Sequence, residues 1–171
     1  MNHELPTVSA TTVPVRIREA STDDYAAICT LLEQVDRLHL AWYPEYFRQP
    51  DGPRRDFTFI QQWIGHPDGA ILLALDPAGL VGLAMLLVEQ AAVFPILLPN
   101  RARVVIENLV VDEGHLRQGV GHQLVSAATD WARARGIGEL QLQVYAKNET
   151  ARQFYEAEGF GMLSVQLRKF V

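Results

Sequence analysis

Apolar positions change their spacing several times along the chain, and each change marks an element. From Val15 to Arg18 apolar and charged residues alternate, which predicts a short strand. Ser21-Thr22-Asp23-Asp24 follows as a helix start: a hydroxyl of Ser21 or Thr22 can cap free amides, and two carboxylates suit a first turn. Tyr25, Ile28, Leu31, Leu32 and Val35 then recur at helical spacing. Between His39 and Asp56 the pattern breaks into four aromatics and three prolines, too apolar for a linker and too irregular for one helix. A helix resumes near Asp56 with Phe57, Ile60, Trp63 and Ile64, and stops at Gly65-His66-Pro67. Ile71 to Leu75, the turn Asp76-Pro77-Ala78-Gly79, and Leu80 to Val88 read as a hairpin. Ala91 to Asn100 is a connecting loop with apolar content, and Arg103 to Val111 is the next strand. A helix from about Gly119 to Arg135 aligns Leu124, Ala128 and Trp131 and has Gly136 beyond its end. Leu140 to Val144 is a strand, Asn148 to Glu158 a helix ended by Gly159, and Phe160 to the C-terminus is strand-like. The order predicts one α/β domain with a mixed sheet over residues 14–171, behind a flexible polar lead-in over residues 1–13.

Composition narrows the class without naming it. A chain of 171 residues suits one domain with a sizeable core. A net charge of −5 with scattered basic residues gives no footprint for nucleic acid or an anionic membrane. No apolar run approaches the ~18 residues of a membrane span, and the start lacks the blocks of a signal peptide. Cys29, the single cysteine, lies in the first helix as a packed thiol and fits a reducing compartment, so a cytoplasmic protein is expected. No His/Cys/Asp/Glu set has metal-ligand spacing, and no metal is expected.

Candidate chemistry centres on VVDEGHLRQGVGHQLVSA, residues 110–127: an apolar strand, a polar loop, then two glycines opening a helix. Free amides at a helix start bind anions, and glycine lets the backbone come close. Three phosphate loops compete. Gly114 and Gly119 have the spacing of a nucleotide P-loop, but Val120-Gly121 stands where Lys-Ser/Thr is required. Gly119-Val120-Gly121 with Glu139 approximates a dinucleotide fingerprint, yet Leu124 holds the third glycine position and Glu139 falls at the start of its strand. The frame Leu116-Arg117-Gln118-Gly119-Val120-Gly121 resembles the pyrophosphate loop of the GNAT acyl-CoA N-acyltransferases, Arg/Gln-x-x-Gly-x-Gly/Ala. Both glycines match; Leu116 replaces the usual Arg/Gln, and Arg117 is displaced by one position. VVIENLVVD resembles the strand before that loop, LQLQVYAKNETARQFYEAEGF the family's fifth strand, Asn-started helix and Gly-Phe, and VRIREASTDDYAAI its opening.

The resemblance implies a GNAT fold: a single, mixed, mostly antiparallel twisted sheet with splayed central strands, flanked by about four helices. It implies transfer of an acyl group, usually acetyl from acetyl-CoA, to a primary amine by direct attack in a ternary complex. Leu109, Val110 and Val111 would pair with the pantetheine amides as a strand edge. Leu116, Arg117, Gln118, Gly119, Val120, Gly121 and His122 would surround the diphosphate, with Asn148, Ala151 and Tyr155 completing the coenzyme contacts. The Tyr155 hydroxyl would meet the departing sulfur; a phenol near ~10 gives up its proton to a thiolate near ~8.5 only uphill, which favours a hydrogen-bond donor over a formal acid.

An alkylammonium near ~10.4 must lose a proton before attack. Glu107, on one face with Leu109 and Val111 if the strand has no bulge, is the local candidate, acting through water; an exposed structural glutamate is an equal alternative, and a bulge would bring Asn108 round instead. His115 and His122 read as surface or capping histidines. The segment holding His39, Trp42, Tyr43, Glu45 and Tyr46 corresponds to the family's acceptor roof, with Glu45 able to attract a cation; anchoring of the loop by its aromatics is the alternative. Phe94 and Ile96 could wall the other side or pack against a second subunit. Family habit implies a homodimer. A protein N-terminus or lysine as acceptor, and a CoA-binding sensor or scaffold without turnover, remain competing readings.

Overall fold

The computed structural model describes residues 14–49, 55–90 and 102–169. Residues 1–13 and the connecting loop with Phe94 and Ile96 lie outside the described residues. Among the described residues five strands form one sheet in the order β1-β2-β3-β4-β5: β1 (Arg16–Glu19), β2 (Gly69–Asp76), β3 (Gly79–Gln90), β4 (Ala102–Val111) and β5 (Leu140–Leu142). The first four run antiparallel to their neighbours, and β5 joins β4 in parallel. Among the described residues four helices flank the sheet: α1 (Tyr25–Trp42), α2 (Phe57–Ile64), α3 (Val120–Arg133) and α4 (Glu149–Ala157). The expected α/β architecture is present.

The continuous apolar run of β2 is explained by burial on both faces. Ala70, Leu72 and Ala74 meet Leu124, Ala128 and Trp131 of α3, while Ile71 and Leu73 meet Ile28, Leu31 and Leu32 of α1 and Ile60 of α2. Each fully buried branched side chain contributes roughly 1.5–3 kcal/mol relative to exposure. The entry to α1 is fixed by charge. Arg18 grips Asp24 through two 2.7 Å bonds, and the same carboxylate accepts from the Ser21 amide at 2.8 Å. That guanidinium holds the Asp24 carboxyl well below the usual carboxylate range.

Two departures from the sequence reading matter for the site. The strand-like tail after Phe160 forms no strand: residues 161–169 have no regular structure and are exposed. The second concerns β4, whose ladder with β3 skips a residue between Ile106 and Asn108, so that Glu107 is a bulge. Pairing of β4 with β5 ends at Ile106 and Leu142, and β5 is two residues shorter than its apolar pattern suggests.

Candidate active site

The loop between β4 and α3 is organised by its own backbone. Gly119 caps α3 with φ +80, the left-handed conformation that glycine adopts without steric cost. Arg117, also left-handed at φ 59, is a non-glycine residue in a sparsely populated region, the kind of strain that clusters at functional sites. The backbone N–H groups from Arg117 to His122 form no hydrogen bond among the described residues. A row of unpaired donors at a helix N-terminus is an anion site in waiting. Leu116 is exposed and Arg117 carries the nearby positive charge, also exposed. Gln118 donates to the Gly114 carbonyl at 3.0 Å and braces the loop from within.

Gly121 also has a packing role. A Cβ there would stand 3.1 Å from Phe154 Cζ on α4. The absent side chain therefore lets α4 press against the first turn of α3, joining the loop to the helix that carries Tyr155.

The bulge answers the question left open about β4. Beyond Glu107 the side-chain alternation is reset: Val110 is buried with the α1 and α2 core, and Asn108 reaches Met85 Sδ at 3.7 Å on that same face. Leu109 and Val111 pack on the α3 side. The assumption of an unbulged strand thus fails at Glu107 itself, which is exposed and makes no bond or ion pair among the described residues. Because β5 stops at Leu142, the β4 edge from residue 107 to 111 has no strand on that side. This is the splayed gap in which an extended ligand could take strand bonds.

On α4 the Asn148 side chain caps the helix, accepting from the Ala151 amide at 3.1 Å. Tyr155 lies between Phe154 at 5.3 Å and Phe160 at 5.7 Å, ring centroid to ring centroid. Its hydroxyl has no hydrogen-bond partner among the described residues, and burial pushes the phenol up to about 12. A donor that stays protonated and unengaged is suited to meet a group that develops negative charge.

The residues expected on the acceptor side come together around one that sequence reasoning missed. Tyr145, just past β5, contacts His39 at 4.9 Å, Tyr43 at 5.5 Å and Phe47 at 5.5 Å between ring centroids. Trp42 lies 6.2 Å from His39, and Tyr46 packs edge-on against Phe47. Lys147 donates its amide to Tyr43 Oη at 3.1 Å and its ammonium to the Trp42 carbonyl, tying the end of α1 to the β5–α4 loop. Burial lowers His39 below an ordinary histidine, which keeps its imidazole neutral near pH 7. Glu45 is not a bare attractor for a cation: Arg168 holds it at 2.8 Å and lies over the Tyr46 ring. The only signal for Tyr145 was an aromatic directly after a strand, which alone says little.

His115 bridges two elements rather than decorating the surface. Its Nδ1 lies 2.9 Å from Asp112 and its Nε2 3.2 Å from Asp76 at the β2–β3 turn. Asp112 also accepts from Gln34 of α1 at 2.8 Å. The Asp112 carboxylate first, then Asp76, raises the imidazole above its ordinary value. His122 is exposed and pairs with Glu158 at 3.0 Å. Among the described residues no helix is long and apolar enough to cross a membrane.

Comparison with known proteins adds independent findings. The Acetyltransferase (GNAT) family model matches residues 32–161. The N-acetyltransferase YhfO of Bacillus subtilis is 30% identical over 147 residues, which cover 85% of this chain and 89% of that one. Streptothricin acetyltransferase of Streptomyces lavendulae is 41% identical over 58 residues, 34% of this chain and 31% of that one. An X-ray structure of a tetramutant of the BH1408 protein from Bacillus halodurans shares the fold, with a TM-score of 0.85 at 24% identity over 91% of this chain and 99% of that one.

Proposed function

The chain belongs to the GNAT family of acetyltransferases, and on that premise we propose that it moves an acetyl group from acetyl-CoA to the primary amine of a small molecule, in the cytoplasm. The observation that carries the reading is the row of unpaired amides at the start of α3, a helix that α4, bearing the unengaged hydroxyl of Tyr155, meets through Phe154 at Gly121. The coenzyme supplies an acyl group activated as a thioester. Residues 117–122 would hold its diphosphate by backbone N–H groups and the Arg117 charge, and the open β4 edge from residue 107 to 111 would hold its amide-bearing arm.

Tyr155 donates a hydrogen bond to the sulfur as it leaves. With the phenol at about 12, full proton transfer to a thiolate near ~8.5 is uphill by roughly 5 kcal/mol, so donation without transfer is its role. Glu107, exposed where β4 parts from β5, takes the ammonium proton through water, since a carboxylate near ~4.3 is a poor direct base for this group. The aromatic wall of His39, Trp42, Tyr43 and Tyr145, with Glu45 already neutralised by Arg168, favours a compact amine over a strongly basic peptide.

The test is thiol release from acetyl-CoA with a panel of small amines, free peptide N-termini and lysyl peptides, alongside thermal protection by CoA. Turnover with small amines in excess of peptides is expected. Faster turnover of a peptide amine would move the substrate class. Protection without thiol release from any amine would identify a sensor, and absence of protection would remove the coenzyme reading.

A further inference from the structure

The aromatic wall around Tyr145 carries a charge that the proposed reaction leaves unused. The chain is acidic, with 20 Asp and Glu against 15 Lys and Arg. The segments that assemble the wall are the reverse. Residues 39–49, 143–148 and 166–169 hold four cations, Arg48, Lys147, Arg168 and Lys169, and one carboxylate, Glu45. Arg168 takes that carboxylate at 2.8 Å, and burial keeps His39 uncharged near pH 7. A local positive field is left in a molecule of net charge −5.

Lys147 is the unneutralised cation that the fold holds in place. Its ammonium donates to the Trp42 carbonyl and lies 4.7 Å from the centroid of the Tyr43 ring, while its amide donates to Tyr43 Oη at 3.1 Å. No carboxylate pairs with it among the described residues. An ammonium has three N–H donors, and one carbonyl with one ring face leaves its charge uncancelled. Arg48 and Lys169 lack such fixing: both are exposed and make no ion pair among the described residues. The place of Lys147 in the chain matters as much as its charge. β4 and β5 part after the pair Ile106–Leu142. Glu107 follows on one arm, exposed, and Tyr145 and Lys147 follow on the other, just before Asn148 caps α4. The two arms thus carry opposite charges, the pattern complementary to a small zwitterion.

We propose that the acceptor amine also carries a carboxylate, as a free amino acid does, and that Lys147 binds this carboxylate while the ammonium group faces Glu107. The rings of Tyr43 and Tyr145, 5.5 Å apart and next to Lys147, give the side chain of such an amino acid an apolar surface. The inference rests on the proposed transfer from acetyl-CoA and names its substrate class. In that transfer the C–S bond breaks and the amide bond forms. Of the two protons the ammonium loses, one ends on the sulfur of CoA and the other in solvent. The carboxylate is unchanged, so its contribution is to binding and orientation.

The test compares thiol release from acetyl-CoA for two matched pairs, phenylalanine against phenethylamine and alanine against ethylamine. In each pair kcat/KM should favour the carboxylated member by ~30-fold or more. Amine basicity contributes to that ratio, but equally for every variant. Lys147→Met should therefore lower the ratio about 10-fold, with thermal protection by CoA retained. A second measurement needs no variant. Hydrocinnamate, which has the carboxylate and no amine, should inhibit the wild type competitively against phenylalanine, and hydrocinnamamide at the same concentration should not. A ratio of one or less in both pairs, a ratio that Lys147→Met leaves unchanged, or equal inhibition by acid and amide would each overturn the proposal and leave the transfer standing. Absence of thiol release with every amine would overturn the transfer, and this inference with it.

Discussion

The loop before α3 and the wall around Tyr145, proposed as the coenzyme and acceptor sides, are ordered from different sources. In the loop, most ordering contacts are short in sequence, Gln118 to Gly114, Asp112 to Gly114 and His115, and Gly119 capping its own helix, with Gln34 and Asp76 as the distant partners. At the acceptor wall the contacts are long. Lys147 reaches Trp42 across 105 residues, and Arg168 reaches Glu45 across 123. A locally ordered site is expected to hold its geometry when distant parts change. A site assembled from three separated segments should change specificity whenever any of them shifts, which suits the part that reads the acceptor.

Four measurements can break or sharpen that contrast. The largest effect should come from Tyr155→Phe, which removes one donor and should lower kcat by ~100-fold or more while CoA affinity changes little; a matched loss of affinity would recast Tyr155 as a packing residue. Gly119→Val forces a β-branched residue into the left-handed region, at about 1–3 kcal/mol, and should weaken CoA binding by roughly 10–100-fold in calorimetry. Unchanged affinity there would move the diphosphate elsewhere. On the other side, Tyr145→Ala should raise the KM for the amine about 10-fold and leave CoA affinity alone. If the two responses were exchanged, the division into donor and acceptor sides would be wrong.

The smallest effect concerns His115 and pH. Its folded value is raised by Asp112 and Asp76, so the stabilisation is complete below the ordinary histidine value and fades as pH rises through the raised one. Gln34 and Gly114 also engage Asp112, and Glu113 beside it faces Arg37 at 3.9 Å, so carboxylates dominate the surroundings. The wild type should therefore bind CoA a few-fold better than His115→Gln near pH 6, and the advantage should vanish near pH 9. A constant ratio across that range would show that the charge on His115 does not brace the loop.

Much of the fold was legible because its signals are local. The change from alternation to helical spacing at Tyr25, the turn at Asp76 to Gly79, and the glycine opening α3 are each decided within a few residues. Tyr155 was legible through the resemblance to the family's Asn-started helix, and Asn148 does cap that helix. What escaped was set by partners far along the chain. The pattern after Phe160 is that of a strand, but a strand needs a neighbour, and the pattern cannot say whether one is present. Nor does anything within VYAKN announce that Tyr145 will meet His39, Tyr43 and Phe47. His115 reads from sequence as a surface or capping group because one of its two carboxylates, Asp76, belongs to a distant turn.

The bulge at Glu107 has a consequence for how β4 tolerates change. One inserted residue exchanges the sides on which everything downstream is presented, so Leu109 and Val111 back onto α3 while Val110 backs onto α1. Deleting residue 107 would remove the bulge and leave every other residue of β4 on its present side, because Ile106 and Asn108 already pair with the consecutive residues Leu86 and Met85. Substitution at 107 should be absorbed, because the residue is exposed and carries little of the packing. Removal of it should keep both cores and straighten the strand, so residue 107 sets the local bend and twist of the β4 edge and not which side chains are buried.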